Sequence, residues 1–465
     1  PYCSCGCGML LETRGGRLTG THPDVHHPAS RGSLCMRGWN AAMAPGHRDR
    51  IPAPLVREQG GLVPASAARA VGAVADAMRR LRGRADASVL FCVGPACTNE
   101  DAYAVRKLAR ESGARACPTD LIGLPAARRA IRGVFGRSYL PGGLDALAAA
   151  DLIWAFGADP GACPQAASRM SEAMRQGAAV VHFDLFAAAG DDAHRTHVFI
   201  PPDRFALLPP LLQKAAFESD RIPDAVRAVP TFAALADFWR HGRGSALPEH
   251  PWLPDARLQE LVSAFLDARN PAAVIGERFL SAAGAGEATL QLVQALVLLS
   301  AGERIVCMTG EANSWGTWDA VGPGKGDTDA MLDLLDPAGT GKFDAVFVIG
   351  DDLMRRGALK LRLAERLSEN GLVVLIDSFH SEMEACAHVV LPSVTFAERD
   401  GTLTSMFGLV QRWRPALAPF GESASACAGI SRIAGQLGIE GWPGSEAAWF
   451  AEMRSGTPPY GTAAL

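Results

Sequence analysis

The chain has 465 residues, 48% of them hydrophobic and 20% charged, with a formal net charge of −4. This is the balance of an ordinary globular protein of two or three domains, and it leaves no basic footprint for nucleic acid or an anionic membrane surface. No apolar run is long enough to span a bilayer, and no secretory or twin-arginine leader is read ahead of the first motif. In chain order, that motif comes at once: Cys3, Cys5 and Cys7 in PYCSCGCGML, with Cys35 following in RGSLCMRGWN. Four thiolates can complete the shell of a cubane iron–sulfur cluster. Gly6 and Gly8 allow the tight turns that point several sulfurs inward. A zinc site is the alternative, although structural zinc usually takes two C-x2-4-C pairs rather than one dense run and a distant single Cys. Disulfides fit less well, because alternating cysteines of an extended segment point apart. With 11 cysteines in all, a reducing cytoplasm is the expected setting. Cys92, Cys97, Cys117, Cys163, Cys307, Cys386 and Cys427 read as buried free thiols.

Beyond the cysteine segment, short apolar runs alternate with helical patterns. The runs are SVLFCVG (88–94), DLIWAFG (151–157), AAVVHFD (178–184), AAVIG (272–276), ERIVCMTG (303–310), FDAVFVIG (343–350) and GLVVLID (371–377). Most end in Gly or Asp, as buried parallel strands do when they feed a loop at their carboxyl ends. Helical stretches such as DAYAVRKLARESG and QAASRMSEAMRQG carry a C-capping Gly. The pattern predicts doubly wound α/β sheets with ligand loops at the strand C-termini. Residues 218–262 read as a helical lobe broken by prolines.

The cysteine segment resembles the N-terminal cluster domain of molybdopterin-dependent oxidoreductases, the formate dehydrogenase and nitrate reductase superfamily. That family reads C-P-Y-C-G-V-G-C-G and then H-P-x-N-x-G-x-L-C-x-K-G; this chain has PYCSCGCG and then HHPASRGSLCMRGWN. The match makes Cys3, Cys7 and Cys35 the second to fourth ligands of a [4Fe–4S] cluster. The first ligand is then either a residue ahead of Pro1 or Cys5. Arg37 stands where the family has a Lys between cluster and pterin. His22, His26 and His27 fall in the loop that leads to the fourth Cys, where solvated histidines are the common outcome.

The likeness continues along the chain. Residues 150–184 resemble the strand–loop–helix–strand that holds one pterin guanine dinucleotide, and GEANSWGTWDAVGPG resembles the family's Asn- and Gly-rich loop. IGDDL and the 375–417 segment resemble the surroundings of the second nucleotide, through D-x-F-x-x-E, A-x-V-V-L-P, E-x-D-G-T and V-Q-R in order. The implied cofactors are a [4Fe–4S] cluster and, less securely carried by the motifs, bis-molybdopterin guanine dinucleotide with Mo or W. Asp184, Asp351 and Asp377 are the carboxylates that could accept from a guanine edge, with helix capping or loop hydrogen bonding as the competing role. His380 and His388 lie near the second nucleotide loop.

The resemblance also predicts what is missing. The metal-ligand position, twelve residues before Phe135-Gly136, falls on Gly123, which has no side chain; Cys117 lies six residues too early. Pro202 replaces a Gly that would admit the nucleotide backbone. The family's C-terminal β-barrel is read as absent. The expected architecture is therefore α/β: a cluster domain (1–60), a discontinuous α/β domain (61–123 plus 325–435), a second α/β domain (124–324) and a C-terminal tail (436–465). The expected function is that of an electron-transfer subunit without its own metal ligand, with Fe–S, flavin or barrel-domain subunits as partners. The alternative is one half of a split Mo/W enzyme of the formate or formylmethanofuran dehydrogenase type.

Overall fold

The computed structural model describes the chain apart from residues 83, 85, 121–123, 187–193, 229, 241–246, 281–284, 300–301, 322–340, 356–365, 458–459 and 461–465. The chain divides into two compact units. The first comprises Pro1–Ile122, Glu311–Ser405 and Leu409–Leu465, and the second Gly123–Gly310 with Met406–Gly408.

The first unit is built on a seven-stranded sheet. Its order is Gly61–Pro64, Leu55–Glu58, Val389–Pro392, Leu367–Asp377, Phe343–Ile349, Val89–Val93 and Arg115–Pro118. The last five strands run parallel, and the 55–64 hairpin adds an antiparallel edge. Near-continuous apolar sequence is what a sheet covered on both faces requires. Strand alternation then sorts the side chains. Phe91, Val93, Phe347, Ile349 and Ile376 face one core, whereas Leu90, Cys92, Val346, Val348 and Leu375 face the other. Phe91 and Phe347 stack at 4.3 Å on neighbouring strands. Helices Ala67–Arg82, Asn99–Ser112 and Ala426–Gln436 supply buried residues to the first core. The 99–112 helix starts in a capping box between Thr98 and Asp101 and stops at Gly113, whose φ of 70° suits only a glycine comfortably.

Residues 436–465, expected as a tail, belong to this first unit. Helix Glu446–Gly456 buries Trp449, Phe450 and Met453 in its core, and the Tyr460 hydroxyl donates to the Gly316 carbonyl at 3.2 Å. Residues 311–321 also sit here rather than with the second α/β unit. The Asn313 amide donates to the Pro95 carbonyl at 3.1 Å and so ties this segment to the loop after the 89–93 strand. Two hairpins complete the unit. Met9–Arg14 pairs with Arg17–Pro23 through a Gly15-Gly16 turn in which both φ values are positive, and Gly401–Thr404 pairs with Val410–Trp413.

The second unit holds a five-stranded, all-parallel sheet in the order Ile305–Met308, Pro271–Gly276, Leu152–Phe156, Ala179–Asp184 and Arg195–Phe199. Trp154, Phe156, Phe183 and Phe265 cluster in its core, with Phe156 and Phe183 stacked at 4.7 Å and the Trp154 and Phe265 rings tilted against each other at 4.3 Å. The helical lobe read at 218–262 contributes helices Asp224–Arg227, Pro230–Arg240 and Asp255–Asp267. The sheets formed by the described residues are open, and none closes into a barrel.

Candidate metal centre and cofactor loops

The cysteine loop is anchored from three directions. Gly6 sits between Cys5 and Cys7 with φ +65°, and its carbonyl accepts from Gln411 Nε2 at 2.7 Å. The same Gln411 nitrogen meets His27 Nε2 at 2.7 Å. The Gly8 amide donates to Ser30 Oγ at 3.1 Å, and the Gly8 carbonyl accepts from the Asp24 amide at 3.1 Å. A Cβ on Gly8 would meet the His27 ring at 2.3 Å, so the loop packs too closely there for any side chain. Farther along, Thr21 Oγ1 donates to the carbonyls of Gly38 and Trp39 at 2.7 and 2.8 Å, which fixes the short helix Met36–Trp39 that follows Cys35.

These ties position the cysteine loop. Cys3 and Cys7 line a cleft of about 430 Å³ together with Gly6, Gly8 and His27. Cys5 is fully buried, and its sulfur lies 3.7 Å from that of Cys7. Among the described residues, no three His, Cys, Asp or Glu side chains close into a single-ion shell. A cubane takes thiolates at its four iron corners, so the donor chemistry and the cleft fit the cluster.

The histidines read with this loop do not converge. His22 pairs with Glu12 at 2.9 Å on the hairpin, His26 is exposed, and His27 is held by Gln411. Burial lowers the His27 pKa, with Asp24 partly opposing, so a neutral ring accepts the Gln411 bond. Arg37 is exposed on the short helix Met36–Trp39 that Cys35 opens. Gln411→Ala removes the clamp on Gly6. The expected result is slower cluster assembly and a shifted reduction potential, read by redox-poised EPR, with the circular dichroism of the protein unchanged.

The motifs read as nucleotide loops in the first unit are largely occupied with one another. Glu398 holds Arg50 at 2.8 Å, and Asp400 pairs with Arg412. Thr402 donates from its amide and its hydroxyl to Glu100, each at 2.7 Å. Asn99 Nδ2 donates to Thr402 Oγ1 at 3.0 Å, and Asn313 Nδ2 donates to Asn99 Oδ1 at 3.0 Å. Gly316 packs so tightly here that a Cβ would lie 2.0 Å from Asn99 Oδ1. His380 pairs with Glu384 at 2.6 Å, and His388 Nδ1 accepts from the Val373 amide at 3.0 Å, both structural uses.

Asp351 and Asp377 come together at the carboxyl ends of adjacent parallel strands. Asp351 accepts from Thr119 Oγ1 and from the Asp352 amide, and Asp377 accepts from the amides of Ser378 and Phe379. Burial raises the Asp377 pKa to about 7; the backbone bonds oppose this and the charges of Asp351 and Asp352 add to it. Glu100 is likewise raised to about 7, chiefly by burial. The sign of the consequence is fixed. A carboxyl held above its ordinary 4.5 contributes fully below about pH 4.5, and that contribution drains away as pH rises to about 7. Glu100→Gln is therefore expected to flatten the fall in urea stability between those pH values by on the order of 3 kcal/mol.

The two positions that bear on a metal ligand differ. Gly123 lies outside the described residues. Cys117 is fully buried and registers beside Cys92 on the neighbouring strand. Its hydrogen bond and burial hold the Cys92 thiol well above its ordinary pKa, so the pair reads as core packing.

In the second unit Asp184 ends its strand as expected, but its carboxylate pairs with Arg278 and accepts from the Leu185 amide at 2.7 Å. Arg278 also reaches Asp159 at 3.1 Å and lies over the Phe186 ring at 5.0 Å. A guanine edge at Asp184 would have to displace that arginine. Pro202 opens the 3₁₀ turn Pro202–Leu207, a position that tolerates the missing N–H.

The family described as molybdopterin oxidoreductase matches residues 50–435, and the molybdopterin oxidoreductase Fe4S4 domain matches residues 1–43. The chain belongs to the molybdopterin oxidoreductase family. Its cofactor class accordingly includes a [4Fe–4S] cluster in the N-terminal segment. Among similar proteins are the F420-dependent formate dehydrogenase subunit alpha of Methanocaldococcus jannaschii, 23% identical over 94% of this chain and 69% of that one, and the NADPH-Fe(3+) oxidoreductase subunit alpha of Geobacter sulfurreducens, 23% identical over 99% and 58%. A subunit of an NADH-quinone oxidoreductase of Rhizobium meliloti is 23% identical over 99% of this chain and 56% of its own length. This molybdopterin oxidoreductase homologue thus spans between about half and two thirds of those relatives. Acetylene hydratase from Pelobacter acetylenicus shares the fold with a TM-score of 0.67 at 12% identity, over 94% of this chain and 68% of that one. The relatives are named as subunits, and no helix among the described residues is long and apolar enough to cross a membrane.

Proposed function

We propose that this chain is the electron-transfer and scaffold subunit of a multi-subunit oxidoreductase complex. Cys3, Cys5, Cys7 and Cys35 hold one [4Fe–4S] cluster, and the chain supplies no metal ligand of its own at a pterin site. The observation that carries the reading is the cysteine loop itself, where Cys3 and Cys7 line one cleft and the Cys5 and Cys7 sulfurs lie 3.7 Å apart, while Cys117 is packed against Cys92 in a sheet core. The engagement of Asp184 by Arg278 supports it from the second unit. The protein's own work is placement: Gly6, Gly8 and Gly38 keep backbone close to the sulfurs, and Arg37 supplies a cation that favours the reduced cluster electrostatically. Its redox neighbours are an Fe–S, flavin or barrel-domain subunit in a reducing, cytoplasmic setting.

A second reading, the pterin-binding half of a split Mo/W enzyme, draws on Asp351 and Asp377. Two carboxyls meeting at strand ends, one of them titrating at about 7, could both accept from and donate to a guanine edge. Metal analysis of the purified complex separates the two. Iron and sulfide without Mo, W or acid-released GMP is the expected result. Stoichiometric Mo or W with two guanine nucleotides per chain would replace the first reading by the second.

A further inference from the structure

Ten large apolar side chains are open to solvent among the described residues, and six of them lie in the first 43: Tyr2, Leu10, Val25, Met36, Trp39 and Met43. That segment is under a tenth of the chain, so the concentration is not the scatter of single exposed residues that any surface shows. Nor are these the inward residues of the hairpin, because Met9, Leu11 and Leu18 pack toward Ala41, Phe396 and Ala397. Strand alternation turns Leu10 to the other face.

Part of the exposed set is linked residue by residue. Leu10 registers opposite His22 across the hairpin, and the His22 ring meets Trp39 edge-on at 6.4 Å. Met36 and Trp39 share one short helix, and Met43 ends the 3₁₀ turn that follows it. Val25 packs against Gly32, where a Cβ would lie 3.3 Å from the Val25 Cα.

Charge gives the face a sign. Residues 1–43 carry four arginines, at 14, 17, 31 and 37, against Glu12 and Asp24, a net of +2 in a chain whose total is −4. All four arginines are exposed, and Glu12 is already engaged by His22. Exposed apolar side chains and exposed arginines in one short segment of an otherwise acidic protein are the anatomy of a steered, reversible contact with an acidic partner.

We propose that residues 1–43 form a docking surface for a small acidic electron-carrier protein. The assignment of the partner as an electron carrier rests on the cluster reading, since Cys3 and Cys7 line a cleft in this same segment. The step is a one-electron exchange: the reduced cluster is oxidised by one electron, the carrier is reduced by one, and no bond or proton is exchanged.

The test uses the full chain, with an acidic plant-type [2Fe–2S] ferredoxin as probe and basic cytochrome c as counter-probe. Calorimetric titration is expected to give ferredoxin binding that weakens with salt and falls at least about tenfold in Val25→Asp/Met43→Asp and in Arg14→Glu/Arg17→Glu. Cytochrome c is expected to bind more weakly than ferredoxin and to gain in the arginine variant. Val25 and Met43 are 66% and 68% exposed, so their replacement leaves the folded cores untouched. No ferredoxin binding to the unaltered chain at low salt, or affinities unmoved in both variants, would overturn the proposal. So would sedimentation showing a dimer that dissociates in Val25→Asp/Met43→Asp, because the face would then belong to a second copy of the chain. Binding needs no iron, so an iron-free preparation that still binds would refute only the cluster. In loaded, dithionite-reduced protein, the rate of ferredoxin reduction is expected to fall by the same factor as the affinity.

Discussion

Replacing Cys7 or Cys35 by Ser is expected to strip the chain of iron, acid-labile sulfide and broad visible absorption, while both α/β units stay folded. Iron should drop from about four atoms per chain to well under one. Thiolate is the soft ligand that iron in such clusters prefers, and a serine hydroxyl is a harder donor that is protonated at neutral pH. Folding should persist because the main cores lie elsewhere. The buried residues around Phe91 and Phe347, and those around Leu90 and Val346, include none from the first 43 positions. Three controls sharpen the test. Cys117→Ser should leave iron content unchanged, because that thiol faces Cys92 in the sheet. Zinc should not restore the mutants. Cys5→Ser decides the first ligand: loss of the cluster assigns Cys5 to it, and retention of iron and sulfide removes Cys5 from the set. Unchanged iron and sulfide in both Cys7→Ser and Cys35→Ser would end the cluster assignment at these residues.

The parallel strands are readable because their physics is local. A run such as FDAVFVI has no polar face, so only a sheet covered on both sides can bury it. Strand Arg195–Phe199 escapes such a reading, because its sequence, RTHVF, is that of an edge strand with one half-solvated face. The 446–456 helix passes for tail for a similar reason. Its apolar residues Trp449, Phe450 and Met453 are few, and their partners lie on the 99–112 helix and around Trp442. The largest difference concerns the E-x-D-G-T and V-Q-R motifs. They are legible as motifs, but their use is not. Glu398 answers Arg50, Gln411 answers Gly6, and Thr402 answers Glu100, each across about 300 residues or more of chain. No local pattern announces a partner that far away. Asp184 shows the same limit: the sequence marks a carboxylate at a strand end, whereas Arg278, 94 residues later, determines what that carboxylate can still bind.

The pairing of Arg50 with Glu398 carries the second large expectation. Both side chains are almost wholly sequestered, at 1% and 2% exposure. The guanidinium makes two bonds to the carboxylate, at 2.8 and 3.1 Å, and donates to the Pro45 carbonyl at 2.9 Å and the Ser378 carbonyl at 3.2 Å. It also lies 5.0 Å from the Phe420 ring. Glu398 accepts from the Thr395 amide at 2.7 Å and the Thr395 hydroxyl at 2.9 Å. Each guanidinium nitrogen and both carboxylate oxygens are therefore engaged, which is the condition under which a buried ion pair does not cost the fold. Glu398→Ala leaves the cation buried against carbonyls alone and is expected to lower urea stability by about 3–5 kcal/mol. That is a large share of the roughly 5–15 kcal/mol a domain has to lose. Arg50→Met/Glu398→Leu removes both charges at similar volume, and most of the loss should return. If the single and double variants unfold at the same urea concentration as the unaltered protein, the pair is not the tie that fixes residues 45–50 to the 378–398 segment. Arg399, the next residue, pairs with Asp101, so a double-mutant cycle between Glu398 and Asp101 should also be non-additive. Such coupling would mean that the motif most diagnostic of the family is retained in this chain because it locks the first unit together, whether or not a nucleotide is bound beside it.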